Sequence, residues 1–151
     1  MKKLLSLVLL VIIIGCKSDK KERKAEEKPA PVTQQEVQSP QEKSIAEGKK
    51  IYSKLCAACH LPGGKGIPGT YPPLAGSDWL TEKRKESIRA VKYGLEGDIV
   101  VNGKKYNNLM TPMGLDDQQV ADVMNYVMSS WGNELTDMVT PQEVANIKEK
   151  E

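Results

Sequence analysis

The run Cys56-Ala57-Ala58-Cys59-His60 constrains this chain more than any other stretch. Cysteines three apart share one face of a helix, so both thiols can reach one planar partner while the adjacent histidine presents its ring to that partner's centre. C-x-x-C-H is the attachment pattern of a c-type haem. In that reading Cys56 and Cys59 add to the two vinyl groups of the porphyrin, and a neutral imidazole nitrogen of His60 binds the iron. His60 is the single histidine in 151 residues. Zinc fits less well, because a structural site takes four ligands and the one further cysteine is the distant Cys16. A thiol redox pair calls for a strand ahead of C-x-x-C, whereas the residues from Ile45 to Leu55 read as helical.

The length allows one domain with extensions, expected over 44–135. The sequence contains no phenylalanine and is 5% aromatic, so the core of such a small domain is thin. Disulfides, metals or a bound cofactor usually remedy that, and a porphyrin supplies the missing apolar bulk. The formal net charge is +2, and two of the cations, Lys2 and Lys3, lie in a segment expected to be removed. Nothing in the remaining charge points to nucleic acid.

Residues 1–15 read as a secretory signal peptide: a charged start, an apolar run from Leu4 to Ile14 broken by Ser6, and the small residue Gly15. The run is too short to span a bilayer. Ile13-Ile14-Gly15-Cys16 resembles a bacterial lipobox, in which the cysteine is acylated and becomes the new N-terminus; an uncleaved anchor is the alternative. Either way the domain is expected on the periplasmic side or in the cell envelope, attached to a membrane. The stretch 16–43 then comprises the acylated Cys16 and a solvated linker with mixed charges, Pro29, Pro31 and Pro40. As a flexible coil it would reach roughly 30 Å.

From Ser44 the pattern changes. Ser44 with Glu47 forms a capping-box signature, and Ile45, Gly48, Ile51, Tyr52 and Leu55 follow at helical spacing. Between Leu61 and Ser77 the density of glycine and proline demands a loop, long enough to wrap a haem face. Pro68 or a neighbouring carbonyl is expected to accept a hydrogen bond from the outer nitrogen of His60. Thr81 reads as the N-cap of a further helix whose apolar stripe is Ile88, Val91 and Leu95, with Gly94 as a candidate stop. Lys83, Arg84, Lys85, Arg89 and Lys92 on that helix read as a solvated face or as a docking patch for an acidic redox partner. Ile99 to Tyr106 around Asn102-Gly103 is a β-hairpin. The loop after it holds Met110, a thioether available to a sixth iron position, whereas Met124 and Met128 fall on an apolar helix face. Asp116 with Gln119 caps a last main helix whose stripe runs from Val120 to Trp131, ending at Gly132. Thr140-Pro141-Gln142-Glu143 opens a short terminal helix in a peripheral tail, 136–151.

Taken together these residues resemble a small bacterial class I cytochrome c of the type found beside or fused to terminal oxidases and nitrogen-oxide reductases. The resemblance rests on Gly48 and Tyr52 before the haem motif, Pro72-Pro73-Leu74-Ala75-Gly76-Ser77-Asp78-Trp79, Val101-Asn102-Gly103, Tyr106-Asn107, Met110, and the ending Tyr126 to Ser130-Trp131-Gly132-Asn133. It implies a mostly α fold, helices wrapped around one covalent haem c with a short hairpin before the methionine loop. It implies that the N- and C-terminal helices cross at Gly48 and Tyr126, that Trp79 hydrogen-bonds a haem propionate, and that Pro68, Leu74 and Tyr106 line the haem. The family usually places proline directly after its methionine ligand; here Thr111 separates Met110 from Pro112. Met110 is the expected ligand, with Met113 and an open position as alternatives. The implied activity is one-electron transfer, not catalysis, to or from a respiratory oxidase, nitrogen-oxide reductase or dehydrogenase. The competing class is a ligand-binding or peroxidase-like haem module with an open sixth position, disfavoured by the lack of a second histidine. A purely structural haem is the third possibility.

Overall fold

The computed structural model describes residues 38–134 and 136–150. The expected signal peptide, Cys16 and most of the linker therefore lie outside the described residues.

Helix α1 spans Pro40–Ile51 and starts a full turn before Ser44. Its N-cap is Ser39, whose hydroxyl accepts from the Glu42 amide at 3.2 Å while the Glu42 carboxylate accepts from the Ser39 amide at 2.7 Å. Pro40 at the first helical position completes that start. The linker thus ends before residue 43, and Ser44 does something else. It is buried, donating to Asp122 Oδ1 at 2.5 Å and accepting from Asn125 Nδ2 at 2.9 Å. Beyond Ile51 the helix widens into a π-helical turn, Tyr52–Cys56, and tightens again as α2, Ala57–His60. Such turns break the regular register of side chains, here at the first haem-motif cysteine.

Two short helices follow the loop where one was expected. Helix α3 covers Asp78–Glu82 and α4 covers Arg84–Tyr93, separated by Lys83 at φ −129°, ψ 51°. Thr81 is inside α3, not its cap; its hydroxyl turns back to the Asp78 carbonyl at 3.0 Å. Gly94 ends α4 at φ 86°, as the sequence suggested. Strands β1 (Ile99–Val101) and β2 (Lys104–Tyr106) pair antiparallel, Ile99 opposite Tyr106. Asn102 and Gly103 both have positive φ, 50° and 73°, which suits the twist of a two-residue hairpin turn.

Helix α5, Asp117–Met128, carries the capping box of Asp116 and Gln119 in both directions, at 2.8 and 3.1 Å. It stops at Met128, short of Gly132, so Trp131 is not part of its stripe. At φ 54° Trp131 instead folds back, its ring 4.9 Å from Tyr52 and 5.4 Å from Tyr126. Helices α1 and α5 cross at Gly48. A Cβ there would overlap the Asp122 carbonyl and stand 2.9 Å from Tyr126 Cβ, so the close approach outweighs the roughly 1 kcal/mol that glycine costs a helix.

The C-terminal stretch is not peripheral. Helix α6, Pro141–Asn146, is capped by Thr140 as expected, but Val139, Val144 and Ile147 are buried in the same core as Tyr52, Ile88, Val120 and Met124. Asn125 bonds both backbone groups of Val139, at 2.7 and 3.0 Å. The basic face of α4 accounts for the rest. Arg84 grips the Glu143 carboxylate through two nitrogens at 2.8 and 2.9 Å, Arg89 donates to the Lys148 carbonyl, and Lys92 reaches Asp117 and the Val144 carbonyl. Three of the five basic residues therefore clamp the C-terminal segment, neither fully solvated nor free to dock a partner. Periodicity along α4 could not reveal this, because the acceptors are some 50 residues downstream. Among the described residues no helix is long and apolar enough to cross a membrane.

Candidate functional site

Two adjoining, partly open spaces lie between α2, the 61–77 loop, α4, the hairpin and α5. They share Cys56, His60, Pro72, Leu95, Ile99 and Met110. The inner one adds Leu74, Trp79, Leu80, Val91 and Val101; the outer one adds Cys59, Tyr71, Tyr106, Leu109 and Met113. The walls are mostly apolar, which suits a flat, greasy ring.

The π-helical turn and α2 bring both thiols and His60 to this space. Neither Cys56 nor Cys59 is in a disulfide. Before haem attachment, burial first and then the neighbouring Cys59 push the Cys56 thiol up to about 11. His60 is 9% exposed. Its Nδ1 lies 3.0 Å from the Pro72 carbonyl, which can only accept, so Nδ1 carries the proton and Nε2 the lone pair. Burial lowers the His60 pKa while the bond to Pro72 acts against it, and the ring is neutral, the form a metal ligand requires.

The acceptor was expected at Pro68 or near it. Pro68 is exposed and lines neither space; Pro72 takes the role because the chain reverses between them, Ile67 bridging Tyr71. Gly66 permits that reversal, since a Cβ on it would stand 2.5 Å from the Pro72 carbonyl oxygen. The Pro72-Pro73 pair was visible in the sequence, but no local signal told which loop carbonyl would meet the imidazole. Tyr52, 1% exposed, ties the other end of the motif by donating to the Leu61 carbonyl at 2.6 Å.

On the facing side, Met110 pairs with Leu95 through two backbone bonds, 2.8 and 2.9 Å. This bridge sets Met110 against the end of α4, where it lines both spaces, whereas Met113 lines the outer one alone. Gly94 allows the approach; a Cβ on it would sit 2.6 Å from the Met110 carbonyl oxygen. Leu95, expected on the apolar stripe of α4, lies past the end of that helix and with Ile99 lines both spaces; nothing in the local pattern of either marks it apart from other apolar positions. Leu74, Trp79 and Tyr106 all line the space, with the Lys83 ammonium 4.9 Å above the Trp79 ring. Two thiols, a neutral imidazole, a thioether and an apolar slot fit a covalently held haem.

The sequence matches the Cytochrome c family over residues 45–131. The chain belongs to that family. It follows that this cytochrome c domain carries covalent haem c, with Cys56 and Cys59 in the attachment positions, and that it is an electron-transfer domain. It is 43% identical over 93 residues to cytochrome c-552 of Thermus thermophilus, covering 58% of this chain and 70% of that protein. It is 31% identical over 106 residues to the cytochrome c subunit of a quinone alcohol dehydrogenase of Gluconacetobacter polyoxogenes, 68% of this chain but 22% of the subunit. Over 91 residues it is 31% identical to the CcoP subunit of a cbb3-type cytochrome c oxidase of Azospirillum sp. (strain B510), 57% of this chain and 30% of that subunit. This cytochrome thus spans less than a third of the length of the larger relatives.

Proposed function

We propose that this cytochrome is a membrane-tethered one-electron carrier whose haem iron is bound by His60 Nε2 and the Met110 thioether. The observation that carries the reading is that His60 and Met110 both border the two adjoining spaces, while Met113 borders the outer one only. The haem supplies one-electron redox chemistry, and the chain sets the conditions. His60, held through Nδ1 by Pro72, keeps one orientation and one tautomer. The mostly apolar walls make a poor solvent for charge and so favour the less charged, reduced state, and a thioether ligand acts in the same direction. Trp79 and Tyr106, which line these spaces, would contact the ring. No substrate would have to reach the metal, because electrons can pass through the edge of a porphyrin ring.

Cys16 is the proposed lipid anchor, with the segment up to Ser39 as the tether and the periplasmic side of a membrane as the location. The partners are redox proteins, a respiratory oxidase, a nitrogen-oxide reductase or a dehydrogenase. Relatives named as dehydrogenase and oxidase subunits support that class of partner. Electronic spectroscopy tests the ligand set: the ferric protein is expected to be low-spin with the weak long-wavelength methionine-to-iron band, lost in Met110→Ala and kept in Met113→Ala. A high-spin wild-type spectrum with rapid carbon monoxide binding would instead indicate the open-position module.

A further inference from the structure

The strip 72–76 presents the carbonyl that orients His60, yet it begins with two prolines and so lacks two of its own amide donors. What holds it comes from elsewhere. On one side the Leu74 and Ala75 amides donate to the Gly64 carbonyl at 2.7 and 2.9 Å. On the other side stands Asn133, which lines neither open space. Its Nδ2 donates to the Leu74 carbonyl at 2.9 Å and to the Val127 carbonyl at 2.8 Å, and its Oδ1 accepts from the Gly76 amide at 2.8 Å. One amide side chain thereby bolts the strip to the end of α5, with both donors and its acceptor used.

The chain around Asn133 is built for that placement. Trp131 and Gly132 take φ 54° and 85°, reversing the backbone after α5, and the Asn133 amide closes the turn on the Ser130 carbonyl at 2.9 Å. The Trp131 ring packs so closely against Gly64 that any Cβ there would overlap it. Both flanks of the strip, the Gly64 carbonyl and Asn133, are therefore registered against the same C-terminal turn.

We infer that Asn133 is a positioning residue for His60: by fixing the 72–76 strip to α5 it holds the Pro72 carbonyl at hydrogen-bonding distance from Nδ1, and so tunes how strongly the imidazole donates to the iron. The inference rests on His60 being the iron ligand. A weaker Nδ1–H bond makes the imidazole a poorer donor, which destabilises the ferric state and raises the reduction potential.

The test uses the intact haem-loaded protein and the neutral variants Asn133→Ala and Asn133→Ser, the second keeping one hydroxyl in place should the first not fold. The control is Ser44→Ala, which breaks the buried Ser44–Asp122 bond at the α1–α5 crossing, away from the strip. Nuclear magnetic resonance follows the His60 Nδ1 proton, and voltammetry follows the potential. In the Asn133 variants the Nδ1 proton is expected to exchange about tenfold faster or more, as for loss of a supported hydrogen bond, and the potential to rise. In Ser44→Ala the melting temperature should fall while proton exchange and potential stay at the wild-type values. If the Asn133 variants lose thermal stability but keep both readouts, or if Ser44→Ala shifts them equally, Asn133 is merely structural and the inference is overturned. If the His60 ring protons of the wild type show no shift from the haem, the ligand reading itself fails and the inference falls with it.

Discussion

The two sides of the haem site are held by different amounts of structure. On the His60 side, the Gly66 amide donates to the His60 carbonyl, Gly64 to Leu61, Leu74 and Ala75 to Gly64, Ile67 bridges Tyr71, and Asn133 bolts the strip from outside. On the Met110 side, the stretch 107–115 makes, among the described residues, two hydrogen bonds, both between Met110 and Leu95. Leu109 beside them is 63% exposed. Covalent attachment and a well-bonded loop thus converge on the His60 side of the site, while a single bridge carries the Met110 side. Local opening follows contact density, so the methionine side is the one expected to let go first.

Gly66→Ala should have the largest effect. Residue 66 sits at φ 61°, and a Cβ there would lie 2.5 Å from the Pro72 carbonyl oxygen and 2.7 Å from its carbon. Backbone cannot swing away as a side chain can, so a loss of about 3 kcal/mol or more is expected in denaturant unfolding, with the His60–Pro72 bond disturbed. A loss below about 1 kcal/mol would mean the His60 side is not the stiff one. Gly94→Ala comes next: at φ 86°, its Cβ would meet the Met110 carbonyl at 2.6 Å and Pro112 Cδ at 2.9 Å. With Met110 as the proposed ligand, the softer side should yield locally, losing the methionine-to-iron band for about 1–2 kcal/mol of global stability. Equal global losses in the two variants would erase the contrast.

The smallest effect is expected behind both sides, at Glu143. Hydrogen bonding to Arg84 holds its carboxyl below the usual carboxylate range, partly opposed by burial. A depressed folded-state pKa means that the stabilisation is present above the unfolded value and is lost as pH falls through the folded one. Melting temperature should therefore drop on acidification more in the wild type than in Glu143→Gln, whose cost at neutral pH should be below about 1 kcal/mol because the pair is partly exposed. The haem spectrum should not move in that variant. A spectral change would show that the C-terminal clamp communicates with the site.

Much of the site was legible because its signals are local. The C-x-x-C-H run, the Asn102-Gly103 turn, the Asp116–Gln119 box and the Thr140-Pro141 start each depend on residues within a few positions of one another, and each appears where the sequence placed it. Ser44 misled because a second capping box, Ser39 with Glu42, lay one turn upstream, and a buried partner on α5 had claimed its hydroxyl. Thr81 misled because Lys83 divides the helix.

By itself the sequence determined that one covalent haem is carried, that the fold is helical with one hairpin, and which residue types stand around the ring, since these follow from spacing, capping and turn chemistry. Tertiary structure decided which carbonyl meets His60, which methionine borders both open spaces, and what three basic side chains around α4 hold. Those choices depend on contacts between residues far apart in the chain, Pro72 with His60, Leu95 with Met110, Arg84 with Glu143, and only the closed fold brings such groups within bonding distance.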